Sequence, residues 1–245
     1  MNPPVIQLER VSLRYRLARQ HLASIKEYAI HWMRGGVSYA DFWALTDVSL
    51  AVDRGQTVGI VGRNGAGKSS LLKIVTGILD PSAGTRRVNG TISPILELGA
   101  GFDIELTGLE NISLNALLLG HPRRSIKTHC QEIVDFAELG EFIDSPLRSY
   151  SSGMLARLGF AIATAWSSDV LVLDEVLAVG DAAFHKKCER RIADLRAAGT
   201  TVLLVSHSPR EIESTCDRCL WIHRGRLLED GAPSEVLAKY LAATL

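Results

Sequence analysis

The sequence lacks a net charge, because its 245 residues include 27 Lys and Arg and 27 Asp and Glu. Proteins that bind nucleic acid through its backbone carry an excess of basic residues, since each contact neutralises a phosphate. The composition therefore argues against nucleic acid as a partner. A chain of this length can still bury a large core, as one α/β domain or as a core domain with an inserted subdomain.

Long apolar runs are also missing. Uncharged stretches such as Asn111 to Pro122 remain shorter than the roughly 18 apolar residues that a membrane-spanning helix needs. The N-terminus, MNPPVIQLER, does not have the basic segment and apolar segment that a secretory signal requires. We therefore expect a protein that stays in the cytosol and touches a membrane only peripherally.

Cysteine is scarce, and the residues Cys130, Cys188, Cys216 and Cys219 indicate reduced thiols rather than a disulfide framework. Cys216 and Cys219 have the C-x-x-C spacing that redox pairs and zinc sites share. A zinc site of that type needs a second pair of ligands, and the sequence contains no second C-x-x-C. We interpret the pair as part of the protein core.

Short apolar runs indicate the strands of that core. They are Val58 to Val61, Leu171 to Leu173 and Val202 to Val205, and such runs are typical of strands buried on both faces of a parallel sheet. Apolar residues recur at helical spacing after Lys68 and after Gly153. Strands that alternate with helices predict a doubly wound α/β fold.

An inserted helical subdomain is predicted at about residues 100–165. This segment has helical periodicity but no strong strand. Two helix caps are predicted inside it, one formed by Thr107 with Glu110 and the other by Ser125 with Thr128.

A second insertion is predicted at about residues 14–43. Between Arg14 and Arg34 basic residues outnumber the single Glu27, and four apolar residues share one helical face: Leu22, Ile25, Ala29 and Trp32. A basic amphipathic helix can lie at a membrane surface or dock a partner. It can equally cover the protein's own core, and the residues alone leave both interpretations open.

The most specific motif is GRNGAGKS at Gly62 to Ser69, which follows a predicted strand at Gln56 to Val61 and opens a helix. This context is the one that a phosphate-binding P-loop requires. Its glycines let backbone N–H groups point at a phosphate, and the helix N-terminus adds a partial positive charge. Lys68 can reach the β- and γ-phosphates, and the Ser69 hydroxyl can bind Mg²⁺. The predicted phosphate-binding residues are Gly62, Arg63, Asn64, Gly65, Ala66, Gly67, Lys68, Ser69 and Ser70.

Polar side chains follow two other predicted strands. Asp174 ends the run LVLD, and ligands of parallel sheets bind beyond the carboxyl ends of the strands, so Asp174 is a predicted Mg²⁺ ligand with Ser69. Glu175, one residue further, is the predicted general base for a water that attacks the γ-phosphate. His207 follows the strand Thr201 to Ser206 and is predicted to reach the γ-phosphate.

With these residues in order, the chain resembles the ATP-binding cassette (ABC) family from Val5 to about Tyr240. The resemblance implies one nucleotide-binding domain over residues 1–245, of the α/β class. Its P-loop NTPase core has a mainly parallel sheet, an antiparallel β subdomain and an inserted α-helical subdomain. It also implies a head-to-tail homodimer that binds ATP and Mg²⁺ and hydrolyses the ATP.

The family's signature pentapeptide, usually Leu-Ser-Gly-Gly-Gln, corresponds here to YSSGM, from Tyr150 to Met154. The resemblance implies that Ser151, Ser152 and Gly153 contact the γ-phosphate of the ATP held by the opposite subunit. The chain departs from the family's pattern at Tyr150, Ser152 and Met154. A nucleotide-gated clamp with negligible turnover is the alternative that Ser152 and Met154 suggest.

Other positions acquire roles from the same resemblance. Asp181, at the end of VLAVGD, is the D-loop Asp, which helps position the partner's pentapeptide or water. Tyr15 matches the aromatic residue that stacks on adenine, although Phe42 or Trp43 could share or take that role. Glu97 occupies the place where the family usually has a Gln near the nucleotide and Mg²⁺.

The motifs YSSGM, LDEVLAVGD, ELGAGF and FHKKC together resemble the ATPases that export bacterial cell-surface polysaccharides such as O-antigen. This branch implies two copies of an integral-membrane permease as partner, at the cytoplasmic face of the inner membrane. The permease would bind a groove between the helical subdomain and Pro94 to Leu106. The alternatives are a soluble cassette ATPase that is not coupled to transport and a transporter of another substrate.

Overall fold

The computed structural model of the chain describes residues 3–18, 39–96, 99, 101–174 and 181–244. In these ranges nine strands form two sheets: β1 (Ile6–Ala18), β2 (Tyr39–Val52), β3 (Thr57–Val61), β4 (Ala83–Val88), β5 (Ile92–Ile95), β6 (Val170–Asp174), β7 (Thr201–Val205), β8 (Arg218–His223) and β9 (Arg226–Gly231). The α-helices of the same ranges are α1 (Lys68–Thr76), α2 (Gly108–Leu118), α3 (Arg123–Ala137), α4 (Ser152–Thr164), α5 (Ala182–Ala197), α6 (Pro209–Thr215) and α7 (Pro233–Ala242).

The larger sheet has six strands in the order β5-β6-β7-β3-β8-β9. Neighbouring strands are parallel from β5 to β8, and β9 runs antiparallel to β8. The three apolar runs of the sequence lie in the adjacent central strands β6, β7 and β3, so their prediction as buried parallel strands is confirmed. The predicted helices after Lys68 and Gly153 are α1 and α4.

Strand β6 has apolar residues on both faces because both faces of the sheet are covered. Successive side chains of a strand point to opposite faces. Val170 and Val172 accordingly belong to a cluster with residues of α1 and the smaller sheet, whereas Leu171 and Leu173 belong to a cluster with the helical subdomain and α5. All four side chains are buried, which is why the sequence shows an unbroken apolar run instead of alternation.

The smaller sheet is antiparallel, with the order β2-β1-β4. It forms the antiparallel subdomain that the family resemblance implies, while α2, α3 and α4 form a helical insertion between β5 and β6. The predicted fold class is thus confirmed. None of the helices in the described ranges has both the length and the apolar character needed to cross a bilayer.

Strands β1 and β2 continue beyond the point where β4 leaves the sheet. They remain paired as far as Ala18 opposite Tyr39, whereas the pairing of β1 with β4 ends at Ser12 opposite Ala83. Residues 14–18 are therefore strand, and their prediction as the start of a basic helix is wrong. They pair with residues 39–43, a partner that helical periodicity cannot detect. The predicted apolar face from Leu22 to Trp32 lies outside the described residues.

One of the two predicted caps in the helical subdomain is present. The Thr107 hydroxyl accepts from the backbone N–H of Glu110 at 3.3 Å, and the Glu110 carboxylate accepts from the backbone N–H of Thr107 at 2.8 Å. This capping box satisfies two N–H groups that the first turn leaves free. The predicted cap at Ser125 is wrong, because α3 already begins at Arg123. The Ser125 hydroxyl instead accepts from the Trp166 indole at 2.7 Å.

Candidate nucleotide site

The P-loop connects β3 to α1, as the motif requires, and its backbone is held close to other parts of the chain. Gly67, immediately before α1, has φ 109°, and a Cβ there would lie 2.7 Å from the carbonyl oxygen of Ala44. A Cβ on Gly62 would lie 2.2 Å from the carbonyl oxygen of Ile222. Both contacts are far too short for a side chain, so only glycine fits at these two positions.

Lys68 is the first residue of α1 and is only 5 % exposed. Its ammonium group donates hydrogen bonds to the carbonyl oxygens of Gly62 at 2.9 Å and Arg63 at 3.4 Å. These partners carry no full charge, and a phosphate oxygen would be a stronger acceptor for a buried cation. The loop therefore holds the Lys68 ammonium group inside the curve of its backbone. At this position a phosphate oxygen can replace the two carbonyl oxygens as the hydrogen-bond acceptor.

A cavity of about 310 Å³ opens over the P-loop, and it brings together most of the predicted nucleotide-binding residues. The lining residues are Tyr15, Phe42, Ala44, Asn64, Gly65, Ala66, Gly67, Lys68, Ser69 and Ser70. The lining combines P-loop residues with the two aromatic residues Tyr15 and Phe42. This combination suits a ligand that carries both phosphates and a flat base.

The register of the two-stranded extension distinguishes among the three candidate aromatic residues. Tyr15 pairs directly with Phe42, and both line the cavity. Trp43 is the next residue of β2, so its side chain points to the opposite face. There it pairs with Arg14, whose guanidinium carbon lies 5.7 Å from the centre of the Trp43 ring. The cavity thus offers Tyr15 and Phe42 as a cross-strand pair and excludes Trp43.

Asp174 and His207 lie at the carboxyl edge of the large sheet. Asp174 is the last residue of β6 and pairs with Val205 of β7, which in turn pairs with Ile60 of β3. The P-loop begins two residues after Ile60, so Asp174 emerges at the same edge. His207 follows Val205 by two residues and lines a separate cavity of about 750 Å³ between α5 and α6.

The signature segment lies in another place, at the start of α4. A cavity of about 550 Å³ is lined there by Glu138, Leu139, Phe142, Ser151, Ser152, Gly153, Met154, Arg157 and Asp181. The Ser151 hydroxyl caps α4 by accepting from the backbone N–H of Met154 at 3.2 Å. Ser151 to Gly153 and the predicted D-loop Asp181 are thus brought together, although they are far apart in sequence.

The P-loop cavity and the signature cavity have no lining residue in common among the residues that the structure describes. Each of them contains a different part of the predicted nucleotide contacts. Within one chain, therefore, the signature segment does not complete the cavity over the P-loop.

Tyr150, the first departure from the family's pentapeptide, points into the helical subdomain. The ring is buried, and its hydroxyl donates to the carbonyl oxygen of Phe142 at 2.6 Å. A Cβ on Gly108 would lie 2.5 Å from that hydroxyl, so the glycine makes the space that the tyrosine occupies. Burial raises the pKa of Tyr150. The helical subdomain thus accommodates Tyr150 by packing around its ring, and Tyr150 does not line the signature cavity.

Asp181 is the N-cap of α5 and is held from two directions. Its Oδ1 accepts from the backbone N–H groups of Ala183 at 3.0 Å and Phe184 at 2.9 Å, and its Oδ2 accepts from Arg157 at 2.6 Å. The hydrogen bond from Phe184 contributes most to lowering the pKa of this carboxyl group. Asp181 is therefore a fixed anion at the edge of the signature cavity.

Two predicted site residues, Glu97 and Glu175, lie outside the described residues, as do the other D-loop residues at 176–180. Sequence reasoning missed Arg157 and Glu138, which line the signature cavity. Arg157 could have been found, because it follows Gly153 by one helical turn and so shares its face.

The C-x-x-C pair is buried, and its thiols are free. Burial raises the pKa of both Cys216 and Cys219 to about 12. Thiols with such a high pKa are poor nucleophiles and poor metal ligands at neutral pH. Among the described residues, no group of three or more His, Cys, Asp or Glu side chains is placed to hold a metal ion.

Comparison with known proteins gives consistent matches. The profile of the ABC transporter family matches residues 45–178. The O-antigen export system ATP-binding protein RfbB of Klebsiella pneumoniae is 44 % identical over 98 % of both chains. The protein of the same name from Myxococcus xanthus is 45 % identical over 95 % of this chain and 54 % of its own. The teichoic acids export ATP-binding protein TagH of Shouchella clausii is 39 % identical over 98 % of this chain and 66 % of its own.

Solved structures with the same fold include the ATP-binding cassette MJ0796 in a dimeric, post-hydrolysis state with ADP and phosphate. It superposes with a TM-score of 0.73 at 20 % identity and covers 93 % of this chain and 98 % of its own. The ATP-binding subunit of an ABC transporter superposes with a TM-score of 0.76 at 22 % identity, covering 96 % of this chain and 93 % of its own.

Proposed function

The chain belongs to the ABC transporter family, and from that premise we propose that it is the ATP-hydrolysing subunit of an exporter of a cell-surface polysaccharide. The observation that carries the ATPase function is the cradle formed by β3, the P-loop and α1, with the Lys68 ammonium bound to loop carbonyls. The observation that carries the export function is the near full-length match to a protein named as the ATP-binding component of an O-antigen export system.

We propose that the chain acts as a head-to-tail homodimer in which each ATP binds to the P-loop of one subunit and the signature segment of the other. The separation of the two cavities within one chain supports this arrangement. Ser151 and the start of α4 offer a hydroxyl and a helix N-terminus to a phosphate, and both favour an anion. Closure of the dimer would bring these groups to the γ-phosphate.

The donors at the carboxyl edge of the sheet fit Mg²⁺, because the Ser69 hydroxyl and the Asp174 carboxylate are hard oxygen ligands that this ion prefers. When bound, Mg²⁺ neutralises part of the charge on the β- and γ-phosphates. We assign Ser69 and Asp174 to hold it. Glu175 accepts a proton from the attacking water, and His207 contacts the γ-phosphate. Lys68 and the P-loop N–H groups orient the phosphates, so most of the catalysis is positioning and electrostatics.

The cross-strand pair of Tyr15 and Phe42 is proposed to hold the adenine ring. Replacing either by Ala should weaken ATP binding by about 1–3 kcal/mol, the usual contribution of one base–aromatic stack. Trp43→Ala is the matched control, because this residue has similar exposure but lies on the other face. Titration with a fluorescent ATP analogue measures the effect. Equal losses for Phe42→Ala and Trp43→Ala would contradict the assignment of the stacking face.

The permease is proposed to dock in an apolar groove of about 360 Å³ between the end of α1, β5 and the helical subdomain. Lining residues include Ile78, Pro94, Leu96, Phe102, Leu118 and Leu119, which agrees with the groove predicted at Pro94 to Leu106. Several of these side chains are exposed, and Leu118 is the most exposed at 68 %. We propose two copies of the permease, one for each subunit, with the ATPase at the cytoplasmic face of the membrane.

Leu118→Glu should abolish capture of the permease, because a carboxylate buried in an apolar contact is costly. The chain is coexpressed with the membrane proteins encoded beside it, purified from detergent, and the polytopic membrane protein that accompanies it is quantified. We expect at least about a tenfold loss, which corresponds to ~1.4 kcal/mol. Leu228→Glu on β9 is the control, since Leu228 is also an exposed leucine, at 47 %, outside the groove. Full recovery of the membrane protein with Leu118→Glu would contradict this docking site.

A further inference from the structure

The turn between β8 and β9 contacts two parts of the nucleotide site. Its two residues are Arg224 and Gly225, since the strands pair as far as His223 opposite Arg226. Both turn residues have positive φ, 48° for Arg224 and 75° for Gly225, as the central residues of a type I′ hairpin turn do. The short turn therefore leaves its backbone few alternative conformations.

Gly225 is hydrogen-bonded through its backbone to the P-loop and to β2. Its N–H donates to the carbonyl oxygen of Ala66 at 2.8 Å, and its carbonyl oxygen accepts from the N–H of Thr46 at 2.8 Å. A Cβ on Gly225 would lie 2.6 Å from the carbonyl oxygen of Ala44 and 3.1 Å from the Cα of Leu45. The backbone of β2 is so close that only glycine fits at this position of the turn.

Ala44 is the extra residue of a β-bulge in β2, because β2 advances by two residues where β1 advances by one. A bulge bends its strand and changes the direction of neighbouring side chains. Phe42, two residues from Ala44, and its cross-strand partner Tyr15 both line the P-loop cavity. The contact of Gly225 with the Ala44 carbonyl thus lies at the bend beside the aromatic pair.

The P-loop reaches the same point. Gly67 faces the Ala44 carbonyl oxygen, which would lie 2.7 Å from a Cβ on Gly67, and that Cβ would lie 3.5 Å from the Cα of Gly225. P-loop, turn and bulge therefore meet through main-chain atoms, which cannot rotate away as side chains can. This contact relates the phosphate-binding loop to the strand that carries Phe42.

We propose that Gly225 is a positioning residue, whose turn sets the distance between the P-loop and the aromatic pair of Tyr15 and Phe42. The inference rests on the proposed function, in which the pair holds the adenine ring and the P-loop holds the phosphates. One nucleotide can make both contacts only when the two parts of the cavity are correctly spaced. A spacing that is fixed before binding removes the cost of ordering the site around the ligand.

Gly225→Ala tests the proposal through the affinities for ATP and for ribose 5′-triphosphate, which is ATP without its base. In the wild-type chain the base–aromatic stack should make ATP bind roughly 5- to 150-fold more tightly than ribose triphosphate. The new methyl group should displace β2, because the atoms that it meets belong to Ala44 and Leu45. We expect the variant to lose most of the preference for ATP and to keep its affinity for ribose triphosphate. Competition with a fluorescent ATP analogue, with Mg²⁺ in excess, measures both affinities.

Gly55→Ala is the matched control. Gly55 also has φ 75° and lies in the turn between β2 and β3, but a Cβ there would meet only the Gly199 carbonyl oxygen, at an ordinary 3.7 Å. Alanine at either position has the same unfavourable left-handed backbone. We expect both variants to melt at a lower temperature and only Gly225→Ala to lose the preference for ATP. An equal loss in both variants, or an unchanged preference in Gly225→Ala, would overturn the proposal.

A second arm combines Gly225→Ala with Tyr15→Ala and Phe42→Ala. In the chain that lacks both rings, Gly225→Ala should weaken ATP binding no further, since all three changes remove the same contact. Additive losses would show that the turn does not act through the aromatic pair. Failure of the proposed function is distinguishable, because the wild-type chain would then bind ATP and ribose triphosphate equally well.

Hydrogen exchange in the wild-type chain gives a measurement that needs no variant, should Gly225→Ala fail to fold. The N–H of Thr46 is bonded to the Gly225 carbonyl oxygen, so its exchange reports whether the turn stays attached to β2. ATP should slow this exchange at least about fivefold more than ribose triphosphate does, the lower bound of the contribution of the stack. Equal protection of the Thr46 amide by the two ligands would overturn the proposal.

Discussion

Glu175→Gln is expected to lower the turnover of ATP by about 10²- to 10⁴-fold, the usual contribution of a general base. The amide has nearly the same size and still forms hydrogen bonds, but it cannot accept the proton of the attacking water. ATP binding should persist, because the groups that we assign to the phosphates are Lys68 and the P-loop backbone. The variant should therefore accumulate as an ATP-bound dimer.

Release of phosphate measures the rate, and size-exclusion chromatography with ATP measures the dimer. Glu213→Gln on α6 is the control for a Glu to Gln change, because Glu213 is exposed and lines neither the P-loop cavity nor the signature cavity. An unchanged rate in Glu175→Gln would remove Glu175 from its assigned role. A dimer that forms equally well without nucleotide would contradict ATP as the ligand at the interface.

Gly153→Asp should lower hydrolysis by about 10²-fold or more, the cost of losing one preorganised electrostatic contact, and yet leave the fold intact. A Cβ on Gly153 would meet only the Ser151 hydroxyl, at 3.8 Å, so the chain itself has room for a side chain. A carboxylate in the first turn of α4 is also favourable for the helix dipole. In the proposed dimer the new carboxylate would face the partner's nucleotide and repel its phosphates, so the loss of hydrolysis would come from the partner's ligand and not from the fold of the chain.

The test compares melting temperature, binding of a fluorescent ATP analogue and dimer formation in the Glu175→Gln background. We expect the first two to match the wild type and the ATP-dependent dimer to be lost. Ser234→Asp is the control, because it places the same carboxylate in the first turn of α7, away from the signature cavity. Hydrolysis at the wild-type rate by Gly153→Asp would contradict a site shared between two subunits.

Local signals in the sequence were sufficient for the central strands and the P-loop. The run Val58 to Val61 is buried on both sides, and the loop that follows it is confined to glycine at Gly62 and Gly67 by contacts below 3 Å. Patterns of this kind depend on neighbouring residues and therefore appear within a short stretch of sequence. The capping box at Thr107 is predictable for the same reason.

Features that depend on distant residues were not predictable. The pairing of residues 14–18 with 39–43 and the choice of Phe42 over Trp43 follow from strand register, which a single strand does not specify. The contact of Arg157 with Asp181 joins α4 to the N-terminus of α5. The local sequence around either residue does not indicate that the two side chains meet. The error at Ser125 has a similar origin, since its hydroxyl accepts a hydrogen bond from Trp166, which lies just after the end of α4.

The buried hydroxyl of Tyr150 changes how signature pentapeptides should be compared. The first position of the pentapeptide is a packing position that depends on Gly108. An alanine at residue 108 would place its Cβ in the space that the Tyr150 hydroxyl occupies. Variation between Leu and Tyr at this place should therefore follow residue 108 across relatives, as a covarying pair, and should carry no information about catalytic competence. Alignments that score the pentapeptide as one catalytic unit would misjudge chains of this type as degenerate.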